Sequence, residues 1–314
     1  MYGMSSKQIV TKDNKLISAS YSLGIPEQRI IFLAIIAARE QEKMIDARGV
    51  LQIHASSYQE QFKVEKHTSY DALKSAARGL FDAHFEYDDI HEQTGDLVHR
   101  IVRWVQQIAY IDDAGMIELQ FTGAVIPLIT RLHEQYTEYD LKQVSELQSG
   151  YAIRLYELMM QWKSVGKTNK IATDDLRKKL GVQPEQYKVM SDFKKRVLDH
   201  AIKQINNHTD ITADYIQHKT GRAITAISFT FKPKKAPEPI ANADAFIKMT
   251  DKQISTFSSK LARLPELGNN APPTAGYDDF AKLIADDLKD PDRQKKYIKH
   301  LAKLGFEVSK SKAK

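Results

Sequence analysis

The segment SDFKKRVLDHAIKQINN, residues 191–207, carries the densest set of side chains able to act on another molecule. On a helical wheel of about 100° per residue, Phe193, Val197, Leu198, Ala201, Ile202 and Ile205 share one broad apolar face. Lys195, Arg196, Asp199, His200, Lys203, Asn206 and Asn207 fall outside it. Arg and Lys donate to O6 and N7 of guanine and Asn pairs with an adenine edge, so the outer set is chemically able to probe a major groove. Lys194 falls nearer the packed side, at the expected helix start, where a phosphate contact fits better than a base contact. Taken alone, such a helix is also a plain surface helix whose charges serve solubility. Its position favours DNA: it is the third helix of its unit and precedes a hairpin whose tip carries Lys219 and Arg222.

A weaker counterpart lies upstream. SYDALKSAARGLFD, residues 69–82, exposes Asp71, Lys74, Ser75, Arg78 and Asp82 on its outer face. Two acids there argue against strong base reading, which leaves Lys74 and Arg78 as phosphate contacts at most, helped by Arg100 and Arg103 on the expected wing. Plain surface charge explains these four equally well. Trp104 and Tyr110 read as core or interface rather than as stacking platforms for bases.

Several chemistries are excluded by composition and spacing. The chain has no Cys, so it has no disulfide, no thiolate nucleophile and no Cys-containing zinc site. A nicking enzyme of the rolling-circle type needs two His flanking one residue, and none of the ten His has another two positions away. Gly166-Lys167-Thr168 resembles the end of a phosphate-binding loop, but Gln161 stands where the loop requires its first Gly, so Gly166 reads as a helix breaker. The pairs Asp88-Asp89, Asp112-Asp113 and Asp174-Asp175 fall in a strand, a turn and a helix first turn, each with a structural explanation. Neither a metal site nor a cofactor is expected. The longest apolar run, Ile30–Ala38, is too short to cross a membrane, and MYGMSSKQIVTKDNK lacks the apolar core of a signal peptide. A cytoplasmic protein with no membrane contact is the expectation.

The elements that must position these residues follow from periodicity. At 314 residues the chain can hold two domains and a small third. Residues 131–235 carry 19 Lys and Arg against 12 Asp and Glu, whereas residues 1–130 carry 13 against 17, so the positive charge is concentrated in the middle. Helix over 26–43, strand at 51–54, helices at 57–62 and 69–82 with Thr68 as cap, then strands at 84–90, 97–111 and 116–121 give the order of a winged helix. The order recurs: helix 150–163, helix 173–180 capped by Thr173, helix 192–206 capped by Ser191, and a hairpin at 211–217 and 224–231. In its last strand Thr225, Ile227, Phe229 and Phe231 share one face. The fold class is α+β: tandem winged-helix domains over 1–135 and 136–235, followed by a linker, KPKKAPEP, and a small helical extension over 236–314. Helices are expected near 251–264, 277–289 and 291–304, and SKSKAK is expected to be disordered.

KDNKLISASYSLGIPEQRIIFLAIIAARE, RWVQQIAYIDDAGMIELQF, RLYELMMQW and FKKRVLDHAIKQIN with GRAITAISFTF, in this order over residues 9 to about 232, resemble the initiator (Rep) proteins of iteron-containing, theta-replicating bacterial plasmids. The resemblance implies that the second winged-helix domain reads one end of each iteron through its third helix, while the first contacts the DNA backbone and forms a dimer interface. It also implies monomers that bind the direct repeats of the origin, help open it and recruit the host initiator and helicase, and homodimers that bind an operator inverted repeat and repress the promoter. On this resemblance Lys194, Lys195, Arg196 and Lys203 are the leading double-stranded DNA contacts, with His200 and Asn207 on the same helix. Residues from 240 onward lie outside the shared core. A repressor of the same fold without initiator activity is the alternative, and a nicking or helicase enzyme is the competing class.

Overall fold

A computed structural model describes residues 8–40, 49–130, 135–234, 246–264, 266–267, 276–304 and 306. The chain opens with β1 (Ile9–Asp13) and α1 (Asn14–Ser18), followed by α2 (Ile25–Glu40). Pro26 sits in the first turn of α2, where its missing N–H costs nothing. Ile30 through Ile36 are all buried, as their continuous apolar run requires.

Around α2 stand β2 (Leu51–His54), α3 (Ala55–Phe62), α4 (Lys66–Asp82), β3 (His84–Ile90), β4 (Leu97–Arg103), β5 (Val105–Ile111) and β6 (Met116–Phe121). The expected single strand over 97–111 is two strands, broken at Trp104. The indole is fully buried against Phe85 (centroids 4.7 Å apart) and edge-on to Tyr21 (5.1 Å), and this anchor diverts the chain from one sheet to another. Consequently β3 pairs only with β4 among the described strands, while β2, β6 and β5 form a separate sheet in that order. The wing of the first domain is therefore the β5–β6 hairpin, and β3–β4 is an insertion ahead of it. The Thr68 cap is not realised either: α4 starts at Lys66, and its N-cap, Glu65, makes no side-chain capping bond.

After α5 (Ile126–Thr130), β7 (Tyr136–Asp140) opens the segment assigned on sequence grounds to the second domain and pairs antiparallel with β1. Next come α6 (Lys142–Ser145) and α7 (Gly150–Met160), and then the elements of a second winged helix: β8 (Ile171–Ala172), α8 (Thr173–Leu180), α9 (Met190–Phe193), a widened turn over Lys194–Leu198, α10 (Asp199–His208), β9 (Ile211–Thr220) and β10 (Ala223–Pro233). Its sheet has the order β8-β10-β9, the same arrangement as β2-β6-β5. Ile227, Phe229 and Phe231 are buried on one face of β10 as the alternation requires. Thr173 and Ser191 lie inside their helices rather than capping them; Ala172 and Val189 hold the cap positions. Gly166 has φ +73, the left-handed conformation that suits the chain reversal after α7.

The two winged helices are fastened by a buried ionic cluster on α7. Glu157, fully buried, accepts from the Lys12 ammonium at 2.6 Å, from the Tyr139 hydroxyl at 2.5 Å and from Arg154 at 3.1 Å. Arg154 also donates to the carbonyls of Ile17 and Ala19 at 2.8 Å in the first domain and of Lys179 at 3.1 Å in the second. Burial opposes ionisation of Glu157, but Lys12 and Arg154 together outweigh it and hold its carboxyl below the usual range.

The chain divides into two compact units, one to Lys234 and one from Lys235. In the second, α11 (Asp251–Ala262), α12 (Tyr277–Asp287), α13 (Pro291–Gln294), a 3-10 turn (Lys295–Tyr297) and α14 (Ile298–Lys303) enclose a core of their own that includes Ile254, Leu261, Phe280, Ile284, Tyr297 and Leu301. The expected tail SKSKAK lies outside the described residues. Among the described residues no helix is long and apolar enough to cross a membrane.

Candidate nucleic-acid interface

The exposed face of the α9–α10 helix is set by how its inner face is held. Phe193, Val197, Leu198, Ala201 and Ile205 are all completely buried. Arg177 of α8 lies over the Phe193 ring at 4.1 Å and donates to the Tyr187 carbonyl at 2.7 Å, closing the turn between the two helices. Gly181 ends α8 at φ +76, and a Cβ there would meet the Tyr21 carbonyl oxygen at 2.2 Å, so only glycine fits. In the widened turn the Asp199 N–H donates to the Lys194 carbonyl five residues back, a π-type turn that a uniform wheel cannot show. Lys195, Arg196, Asp199, His200, Lys203 and Asn207 are exposed and Lys194 is half-buried. Because the helix starts at Met190, Lys194 is not among its first free N–H groups, and the helix-start argument for a phosphate contact there does not hold.

The wing is tied to this helix at two points. The Tyr215 hydroxyl donates to Asp199 at 2.7 Å, and the Asn206 side chain accepts from the Ala213 N–H at 2.6 Å while donating to the Ala213 carbonyl at 2.9 Å. Burial and the Asp199 carboxylate push the Tyr215 phenol well above its usual range, so it stays a donor. These bonds remove Asn206 and Asp199 from the free outer set, a correction to the wheel. Gln204 donates to the His200 ring at 2.8 Å and accepts from the Gln148 N–H at 2.7 Å, which orients His200 along the exposed stripe. At the hairpin tip Gly221 has φ +61, and Lys219 and Arg222 flank it, both exposed. Lys194, Lys195, Arg196, Lys203, Lys219 and Arg222 make no ion pair or side-chain hydrogen bond among the described residues. Six uncompensated cations on one helix and its wing are available to an external anion.

The first domain treats its cations differently. Lys74 pairs with Asp112 at 3.0 Å and lies over the rings of Tyr70 and Tyr110. Asp112 also accepts from the Tyr70 hydroxyl at 2.7 Å, and these two donors hold its carboxyl below the usual range. Arg78 pairs with Asp82 at 3.3 Å, and Arg100 with Asp89 at 3.0 Å. Arg103 donates to the Phe81 carbonyl at 3.1 Å at the end of α4. Arg100 and Arg103 stand on β4, in the inserted hairpin, and not on the wing where the sequence placed them; the break at Trp104 is the reason. Of the aromatic pair, Trp104 is core, whereas Tyr110 is exposed and packs on Lys74.

Two lysines the sequence reading passed over belong with the free set. Lys170 precedes β8 and Lys188 precedes α9; both are exposed and neither has an internal partner among the described residues. The available signal was their nearness to the starts of α8 and α9, where a phosphate would also meet free N–H groups.

Known proteins share this fold. Two family models match, initiator replication protein WH1 over residues 9–160 and initiator Rep protein WH2 over residues 172–231, together well over half of the chain. An uncharacterized 27.6 kDa protein of Escherichia coli is 24% identical over 233 residues, covering 71% of this chain and 95% of its own length. The PI protein of Escherichia coli is 25% identical over 262 residues, covering 74% of this chain and 85% of its own. The crystal structure of Pi initiator protein in complex with iteron DNA superposes with a TM-score of 0.60 at 22% identity, covering 74% of this chain and all of that one, which establishes the shared fold. With two winged-helix models matched in order, over residues 9–160 and 172–231, the chain belongs to the initiator replication protein family.

Proposed function

We propose that this chain initiates plasmid replication by binding the direct repeats of its origin as a monomer, with the α9–α10 helix in a major groove and the β9–β10 tip against the neighbouring backbone. The observation that carries this reading is the set of six unpaired cations on a helix and wing joined by the Asp199–Tyr215 and Asn206–Ala213 bonds. Arg196, Lys195 and Lys203 have the reach and donors to read guanine, and Asn207 has the amide for adenine. The lysines at 170, 188 and 219 serve as phosphate contacts that set register. The iteron complex of the Pi initiator protein, a structural neighbour, supports duplex DNA as the partner.

The same reading assigns self-association and promoter repression to the first domain. Ile90, Leu97 and Ile101 are exposed on one face of the inserted β3–β4 hairpin, on either side of the His99–Asp88 pair, a mixed surface suited to a second copy. A homodimer so formed would present two reading helices to an operator inverted repeat, and a monomer would serve the origin and engage the host initiator and helicase. The test is a plasmid carrying the gene and its flanking DNA: it should replicate with the gene intact and fail when the gene is interrupted. Replication that persists without the gene would end the reading.

A further inference from the structure

Residues 246–306 hold a second place where cations lack partners. Several basic side chains of this unit face a carboxylate: Lys282 pairs with Asp279 at 3.0 Å, Lys289 with Asp286 at 3.6 Å, Lys295 with Asp292 at 3.0 Å, and Lys296 with Asp287 at 2.6 Å. Lys248 and Lys299 stand exposed without such a partner among the described residues, but only the outer face of α11 gathers several such cations on one element. Successive turns place Lys252, Thr256, Ser259 and Arg263 in one row with Ser255 and Lys260 beside it, all exposed, opposite the buried Ile254, Leu261 and Ala262. Lys252, Lys260 and Arg263 make no ion pair among the described residues, and Lys260 rests only on the Phe257 ring, 5.3 Å away. The Ser255 and Thr256 hydroxyls have no internal partner there either, and the only acid on α11 is Asp251 in its first turn. The Thr250–Gln253 capping box fixes the start of the helix, so the row is carried on an ordered element.

Cations interleaved with hydroxyls and free of acids are the donor set that phosphate oxygens take from proteins, and the row carries no flat amide or aromatic side chain that would read a base. We propose that the outer face of α11 is a second, sequence-independent contact for the backbone of duplex DNA, which holds the chain to DNA beyond the repeat read by the winged helices. The proposal rests on duplex DNA being the partner of the first unit. The matched family models end at residue 231, so this surface is an addition to the shared core. Being joined covalently to a site-specific reader, it gains from a high effective concentration and can act with only a few weak contacts.

The test is a salt titration of the full chain on a 40-base-pair duplex of random sequence. Each phosphate contact contributes about 0.9 to the slope of log K against log salt. The triple variant Lys252→Gln, Lys260→Gln, Arg263→Gln should lower that slope by about 2.7 and weaken binding at low salt by at least tenfold, leaving the preference for the origin repeat over random duplex unchanged. Lys282→Gln with Lys289→Gln and Lys295→Gln, which removes paired cations from the same unit, should leave the slope as in the parent chain. A parent chain that binds duplex with a slope the α11 variant does not alter overturns this proposal alone. A parent chain that does not bind duplex at all overturns the functional reading beneath it. Loss of binding to phosphatidylserine vesicles with an unchanged duplex slope would overturn the DNA assignment in favour of a membrane surface.

Discussion

The two wings of this molecule are built alike and charged oppositely. In the first, the β5–β6 turn carries Asp112 and Asp113, and Asp112 reaches back to Lys74 and Tyr70 of α4. In the second, the β9–β10 turn carries Lys219 and Arg222, and the bonds between wing and helix are made lower down, by Asp199 with Tyr215 and by Asn206 with Ala213. The same strand order thus yields one winged helix closed on its own cations and one whose cations stay open. Basic residue content alone does not leave cations open to an external anion; what decides is whether a carboxylate of the same chain has already met the charge.

The largest effect should come from the cluster that holds the two regions together. Glu157→Ala leaves Lys12 and Arg154 buried without their counter-ion, and a loss of about 3–5 kcal/mol is expected, read as a lower urea midpoint. A shift as small as that of a surface mutation would show that α7 is not the fastener. Next, Arg196→Ala or Lys195→Ala should cost about 1–3 kcal/mol on the cognate repeat and much less on random duplex, measured by competition binding. Equal losses on both would demote these residues to phosphate contacts. Tyr215→Phe removes the higher of the helix-to-wing bonds and should weaken repeat binding by about 1 kcal/mol without changing the salt slope. The smallest effect is the most diagnostic of the comparison. Asp112→Asn frees Lys74, and the salt slope should rise by up to about 1, whereas Lys74→Ala in the parent chain should leave it unchanged. For self-association, Leu97→Glu should shift sedimentation toward monomer while leaving repeat binding intact.

Much of this contrast was legible in the sequence, and the parts that were not have physical reasons. The amphipathic period of residues 191–207 placed Lys195, Arg196, His200, Lys203 and Asn207 on the open face because local spacing alone determines it. The acids in SYDALKSAARGLFD already pointed to a weak first reader. The widened turn at Lys194–Leu198 left no mark, since one extra residue per turn hardly alters an apolar pattern. The inserted hairpin was hidden for a related reason: period two continues through Trp104, and only burial of the indole against Phe85 and Tyr21 shows where one sheet ends. Four partners of Arg154 and Glu157 lie more than a hundred residues upstream, at Lys12, Ile17, Ala19 and Tyr21, out of reach of any local pattern. In the last two cases an interaction outside the local segment overrode or completed the local signal.

One titration bears on the central claim more directly than the others. Compare the full chain with the double variant Lys195→Ala, Arg196→Ala and with the double variant Lys74→Ala, Arg78→Ala, on an origin-repeat duplex and a scrambled duplex at about 0.15 M salt. The open cations of the second wing and helix predict that the parent prefers the repeat by roughly a thousandfold or more, that the 195/196 variant loses most of that preference, and that the 74/78 variant keeps it. A parent that holds both duplexes equally, or two variants that lose the preference alike, would contradict the account.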